Sequence, residues 1–507
     1  MSFEMKKDKI SSCEVASKAK GEQSIETEIS LPDYCSEIKR ILKCTVTPGV
    51  HSVSRTGERV GAVGTILIRV IYQGDKDKID CYEKNLELNA SCQMKDITDT
   101  MIIKSKAMTS YVNCRAVNQR KITVSGSINV EFSAYDVKSR ELPCEVESEC
   151  IQTKKKKIRS EDVICVGEKM FDLSETAILP KEKAQVEKLI RYSSYITIES
   201  KKAVSDKILI KGEFIINMFY CSGDSNKLHM FTHSMPISQI VDVPGIDDDM
   251  VCEVLLKTSL LAVNIKADSD GEQRLVEIAA RVAAFIKGCK EKECEIIADC
   301  YSTDSEIESE YLTTEMLLPV GGFDKTESFR QSIDLGASAK EICDVRISDI
   351  TGEIRHSDDK ADVVCKGTAC ILFIDDNGVP SYTERAVEFT CPMSLKEKCE
   401  HIAKQIEVCE VKTDFTPLEK GKTEIKTELQ IYCKVCKVIS CRYLSDVKVC
   451  EGTLADKPAL TLYFCTKGEK IWDIAKKYKT TEKAVMEENS IKEKTAPEDR
   501  MLLIPCG

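Results

Sequence analysis

Neither an export signal nor a membrane-spanning helix is expected from this sequence. Residues 1–21 are charged and polar throughout, without the apolar stretch of about 7–15 residues that an export signal needs. No window approaches about 18 uninterrupted apolar residues, so no membrane-spanning helix is expected. Positive charge is also in deficit: 73 Lys and Arg stand against 84 Asp and Glu, a net −11. A nucleic-acid surface needs a cationic patch that releases counterions, so nucleic acid is not expected as a ligand. The one dense basic run, Lys154-Lys155-Lys156-Lys157, reads as a solvated linker, with contact to an acidic partner as the other reading.

Residues that carry chemistry are few or scattered. Of the five histidines, His51, His229, His233, His356 and His401, only His229 and His233 have a spacing that would suit a metal on a helix. The intervening Met230-Phe231-Thr232 reads as strand, where residues four apart do not converge on one ion, so a surface role is expected. Cys433-Lys434-Val435-Cys436 is a lone CxxC in a strand-like run and reads as two buried strand cysteines. No Gly-rich phosphate loop, nucleophile elbow or paired-carboxylate motif is present, so neither enzymatic activity, a cofactor nor a metal is expected. The 26 cysteines are spread along a chain without an export signal, which points to a reducing cytosol rather than a disulfide scaffold. Most, such as Cys114, Cys221, Cys252 and Cys370, sit in or beside Val, Ile and Leu runs and are expected as small buried residues.

What is there is internal repetition. A chain of 507 residues should hold three to five domains. Gly64-Thr65-Ile66-Leu67-Ile68-Arg69-Val70-Ile71-Tyr72 is echoed by Gly212-Glu213-Phe214-Ile215-Ile216-Asn217-Met218-Phe219-Tyr220, 148 residues on, and by Gly367-Thr368-Ala369-Cys370-Ile371-Leu372-Phe373-Ile374-Asp375, a further 155 on. Spacings of that size make each copy a domain and not a solenoid repeat. With side chains alternating along a strand, Ile66, Ile68, Val70 and Tyr72 share a face, and Phe214, Ile216, Met218 and Tyr220 take the matching places. The other face mixes Arg69 and Asn217 with Leu67 and Ile215, as in a sandwich strand buried fully on one side and partly on the other.

Further strand-like runs follow in each copy, at 122–135, 275–286 and 423–435, rich in β-branched residues. Turn signals separate them, among them Gly74-Asp75, Ser222-Gly223-Asp224, Asp376-Asn377-Gly378 and Val243-Pro244-Gly245-Ile246-Asp247. Short helical turns are predicted at 36–42 and 181–189. The fold class is mainly β: three sandwich-like domains at 29–150, 172–303 and 334–449, with a polar segment 1–28 before them and linkers at 151–171, 304–333 and 450–459.

The last residues, 460–507, break the pattern. Ile471, Ile474, Ala475 and Tyr478 recur at helical spacing and form one apolar face. Trp472, the only tryptophan, falls about 100° from Ile471 and is expected half exposed. Thr481 suits the cap of a second helix in which Val485 and Met486 pack inward, and Asn489 suits its end. Leu460-Thr461-Leu462-Tyr463-Phe464 and 501–504 complete a small β-α-α-β unit.

Two resemblances emerge from these residues. The run Lys467-Gly468-Glu469-Lys470-Ile471-Trp472-Asp473-Ile474-Ala475-Lys476-Lys477-Tyr478, ending in Leu502-Leu503-Ile504-Pro505, resembles a LysM module. Pro236-Ile237-Ser238-Gln239-Ile240-Val241-Asp242-Val243-Pro244-Gly245, with residues 192–220, resembles the SPOCS domain. Three SPOCS-like copies and one terminal LysM resemble SipL-type spore coat proteins. That resemblance implies a non-enzymatic scaffold of coat assembly in the mother-cell cytosol, at the forespore surface, with the coat ATPase SpoIVA as protein partner of the LysM module. Lys470, Ile471 and Trp472, with Met486, are the expected contact edge. The alternative is a cell-wall protein binding peptidoglycan. Glycan-binding LysM modules typically carry Gly-Asp-Thr and Pro-Gly-Gln in two loops, where this sequence has Gly468-Glu469-Lys470 and Glu498-Asp499-Arg500, and charged replacements obstruct close approach of a sugar.

Overall fold

Alternating burial builds one six-stranded unit three times. The computed structural model describes residues 4–222, 228–357, 360–418, 421–453 and 460–505, so most of the Ser222-Gly223-Asp224 turn and of the 450–459 linker lies outside the described residues. The first copy holds β1 (Met5–Ser30), β2 (Arg40–Thr56), β3 (Arg59–Gln73), β4 (Ile79–Gln93), β5 (Ile102–Asn118) and β6 (Lys121–Val146). The second holds β7 (Ile151–Ile178), β8 (Lys188–Val204), β9 (Lys207–Cys221), β10 (Leu228–Asp242), β11 (Val251–Ala267) and β12 (Gln273–Ser302). The third holds β13 (Ser305–Asp334), β14 (Ala339–Ser357), β15 (Lys360–Asp375), β16 (Pro380–Ser394), β17 (Ile402–Pro417) and β18 (Lys422–Thr453).

Each copy is a sandwich of two three-stranded antiparallel sheets, ordered β2-β3-β4 and β1-β6-β5 in the first and correspondingly in the others. The repeated strands lie at the sheet centres. Ile66, Ile68, Val70 and Tyr72, like Phe214, Ile216, Met218 and Tyr220, are buried against the second sheet of their own copy. Their opposite faces meet neighbouring copies: Arg69 lies over the Tyr192 ring, and Asn217 donates to the Val411 carbonyl at 3.0 Å.

Three stretches expected outside the sandwiches are strands. Residues 5–28 of the polar segment, and 151–171 and 305–333 of the linkers, run within β1, β7 and β13, each strand paired along nearly its whole length with β6, β12 or β18. The lysine run belongs to β7, and its charge is met across the ladder: Lys157 pairs with Glu293 at 2.9 Å and Lys155 with Glu295 at 3.9 Å. The helical turns expected at 36–42 and 181–189 are open turns leading into β2 and β8. There the Ser36 hydroxyl donates to Asp80 at 2.6 Å, a side-chain bond that competes with helix formation.

Each long pair of strands leaves its own sandwich at a bulge. The register shifts at Ala16, Ile164 and Val320 lie opposite corresponding positions of β6, β12 and β18, and a bulge bends the strand that carries it. Beyond it the three arms share a core that no single copy could build. Ile10, Leu142, Ile158, Cys294, Ile296, Met316, Cys441 and Tyr443 form it; away from the arms, Ile79, Cys81, Ile190, Cys221, Leu372 and Ile374, on β4, β8, β9 and β15, form another core between the outer sheets of the three copies. Every pair of copies touches: Lys188 pairs with Asp80 at 3.0 Å, Arg191 with Asp344 at 2.6 Å, and Lys43 with Glu384. The copies close into a ring of three.

The cysteines follow the apolar pattern. Cys433 packs into the third core beside Met393, and Cys436 is buried three residues on. His229 and His233 lie on β10, where their ring nitrogens meet Ser222 and Glu175 at 2.8 Å. Among the described residues no helix is long and apolar enough to cross a membrane.

Candidate functional site

The terminal module consists of β19 (Leu460–Cys465), α1 (Ile471–Tyr478), α2 (Glu482–Glu488) and β20 (Arg500–Pro505). Lys479, at φ 51, ends α1, and the Thr481 hydroxyl caps α2 by accepting from the Ala484 amide at 3.0 Å. Asn489 ties α2 to the sheet, donating to the carbonyls of Val485 and Leu503 and accepting from the Leu503 amide. Ile471, Ile474, Ala475, Val485, Leu502 and Ile504 make the small core.

Two faces of this module differ in what they meet. On the sheet, Leu462 stands opposite Leu503 and Phe464 opposite Met501. Directly opposite residues share a face, and here it points outward: Leu460, Leu462, Phe464 and Met501 are 50, 62, 63 and 58% exposed. Four large apolar side chains side by side on so small a module form a patch of the kind that marks an interaction surface.

The second face, around Trp472, is covered by the chain itself. The expectation of a half-exposed tryptophan is corrected: Trp472 is only 5% exposed. Its ring packs edge-on against Tyr301 of β12, with centroids 4.9 Å apart, and its Nε1 donates to Asp299 Oδ2 at 2.8 Å. Lys476 donates to the other carboxylate oxygen at 2.6 Å, the Tyr301 hydroxyl donates to the Thr480 carbonyl at 2.8 Å, and Lys479 pairs with Glu306. Lys154, the first of the basic run, lies 5.8 Å from the centroid of the indole. Burial alone would raise the Asp299 carboxyl, but hydrogen bonds from Lys476, Trp472 and Tyr311 outweigh it and hold the group below its usual range.

Two of the four expected contact residues, Trp472 and Met486, line one groove, and the other two lie apart from it. Ile471 is fully buried in the module core, Trp472 is buried against β12, and Lys470 is exposed at the start of α1, bridged to Thr495. Met486 is half-buried beside an open groove of about 620 Å³ between α2 and the start of β7, also lined by Gln152, Thr153 and Lys483. Sequence reasoning missed Asp299 and Tyr301, which lie in another domain. It also passed over the sheet face, although three large apolar residues at alternate positions of β19 were a readable signal.

The loops that hold sugar in glycan-binding modules are tied to each other here. Gly468 donates to the Ala496 carbonyl and Ala496 to the Glu469 carbonyl, both at 2.8 Å, while the Lys467 amide donates to Asp499 at 2.6 Å. Glu469 accepts from the Tyr463 hydroxyl at 2.7 Å, a bond that pushes the phenol up to about 12.

Comparison with known families now adds to this geometry. A model of the SipL SPOCS domain matches residues 37–117 and 185–266, and a LysM domain model matches residues 466–505. The chain carries SipL-type SPOCS domains and a LysM domain. Curated proteins and solved structures give no match. The two SPOCS matches span β2 to β5 and β8 to β11, and the structure adds the long flanking strands to each. The third copy lies outside the matched segments but repeats the sheet order, β14-β15-β16 and β13-β18-β17. Neither SPOCS nor LysM is an enzymatic family, and the pair marks a sporulation-associated protein.

Proposed function

We propose that this chain is a non-enzymatic scaffold of spore coat assembly, in which a closed ring of three SPOCS domains presents a LysM module to a protein partner. The observation that carries this reading is the outward apolar face of Leu460, Leu462, Phe464 and Met501. An apolar sheet face gains by burial against another protein at about 25 cal/mol per Å², whereas a saccharide offers mostly hydroxyls. The mutual bonding of the two loops supports the same reading, since it uses amides that a sugar would need. By resemblance to SipL-type proteins the partner is SpoIVA, the coat ATPase, and the setting is the mother-cell cytosol at the forespore surface. The contact edge moves from Trp472 to the sheet.

The test is capture of purified SpoIVA by the full chain, with co-sedimentation on insoluble peptidoglycan as the comparison. Capture by the wild type, its loss in Leu462→Asp/Phe464→Asp and no sedimentation with peptidoglycan are expected. Equal capture by the variant would overturn the sheet face as the contact, and sedimentation would restore the cell-wall alternative.

A further inference from the structure

The corner where the LysM module rests exists three times in the ring, and the module occupies one. Near the end of each long arm a single residue bulges out of the ladder: Cys144 in β6, Ala298 in β12 and Ser445 in β18. A bulge re-aims the residues that follow it. The next residue is acidic in all three copies, Glu145, Asp299 and Asp446. Two positions further on stand Glu147, just past the end of β6, and, on the same strand face as their acidic residues, Tyr301 and Lys448. Glu145 is met by Lys6 at 2.9 Å and Asp446 by Lys448 at 3.1 Å. Only the second corner joins a carboxylate to a tyrosine.

The complementary groups on the module match that pair. Trp472 Nε1 and Lys476 Nζ, on one side of α1, both donate to Asp299. The indole receives the Tyr301 ring, and the Thr480 carbonyl, just past the helix end, receives its hydroxyl. On an extended strand residues i and i+2 stand about 7 Å apart on one face, a distance that these two subsites span.

We propose that the LysM face around Trp472 is a receptor for an extended segment bearing a carboxylate and, two residues on, a tyrosine. In this chain Asp299 and Tyr301 fill it, and a protein that engages this face from outside presents the same pair and displaces them. The proposal is independent of partner binding by the apolar sheet, because its test needs only this chain and a peptide.

The test uses the full chain under reducing conditions, with the fluorescence of its single tryptophan as readout. In the wild type Trp472 is expected to resist acrylamide quenching. Tyr301→Lys, which installs the third copy's residue, and Lys476→Glu, an exposed substitution that repels Asp299, should each raise the quenching constant several-fold without altering circular dichroism. A peptide of residues 296–304, Ile-Ile-Ala-Asp-Cys-Tyr-Ser-Thr-Asp, should restore shielding in Tyr301→Lys. The same peptide with Asn and Phe in place of its first Asp and its Tyr should not. Shielding unchanged in both variants would show that the corner does not hold the module. Equal effects of the two peptides would show that the face does not read the pair.

Discussion

Trp472 and Asp299 lie 173 residues apart in sequence and share a 2.8 Å hydrogen bond that fastens the LysM module to the ring. The same carboxylate accepts from Lys476 and from the Tyr311 hydroxyl, so the contact contains a charge. Its pH dependence follows from the sign of the shift. The Asp299 carboxyl is held below its ordinary 3.8, so its contribution is complete above that value and is lost as pH falls through the lower docked value. Trp472 fluorescence should therefore stay constant from pH 7 to about 5 and report release only below about 4. Release between pH 5 and 7 would point to a different titrating group.

Arg191 and Asp344 close the ring between the second and third copies. Two bonds of 2.6 Å join them, both side chains are about nine-tenths buried, and the guanidinium lies 3.9 Å from the Phe219 ring centroid. Removing one partner leaves a buried charge unmet, which costs about 3–5 kcal/mol, whereas replacing both with apolar groups is often neutral. Asp344→Ala should lower the denaturation midpoint clearly, and Arg191→Met/Asp344→Leu should recover most of the loss. A double variant as unstable as the single one would show that the pair itself, and not the orphaned charge, sets the stability.

How far the sequence could be read depended on how local each signal was. Ile66, Ile68, Val70 and Tyr72 recur at strand period within nine residues, and their burial followed from spacing alone. The arms did not. In β7 the buried Ile158, Val163 and Cys165 follow a run of lysines whose acidic partners on β12 lie more than a hundred residues away, so the stretch read as a linker. The dock was harder still, because Asp-Cys-Tyr occurs at 80–82 as well as at 299–301. Asp80 is engaged by Ser36, Tyr72 and Lys188 inside the ring, and only tertiary structure distinguishes the two sites.

Burial makes the sheet cysteines slow to react. The thiols of Cys81, Cys221 and Cys343 are each pushed up to about 12, so at pH 8 the reactive thiolate is a minute fraction. Cys450 is exposed. A thiol reagent at pH 8 should label Cys450 rapidly in the native chain and these three only after denaturant is added. Rapid native labelling of Cys81 or Cys221, which lie in the shared core between outer sheets, would mean that the ring opens readily.

The sheet face can be separated from the fold because its residues contribute little to the module's own core. Leu462 and Phe464 are each more than 60% exposed, while Tyr463 between them faces inward against Tyr478 at 5.5 Å. Surface changes away from packing usually alter stability by less than about 0.5 kcal/mol, so Leu462→Asp/Phe464→Asp should melt within a few degrees of the wild type. Binding should respond differently. Losing two apolar side chains from a contact, each worth about 1.5–3 kcal/mol when fully buried, and adding two charges should weaken partner capture by at least about a hundredfold. Tyr463→Asp serves as the contrast: it breaks the inward contact and the bond to Glu469, and should lower the melting temperature of the module before it affects any partner. If Leu462→Asp/Phe464→Asp melts like the wild type and still captures the partner at full strength, the exposed face has another use.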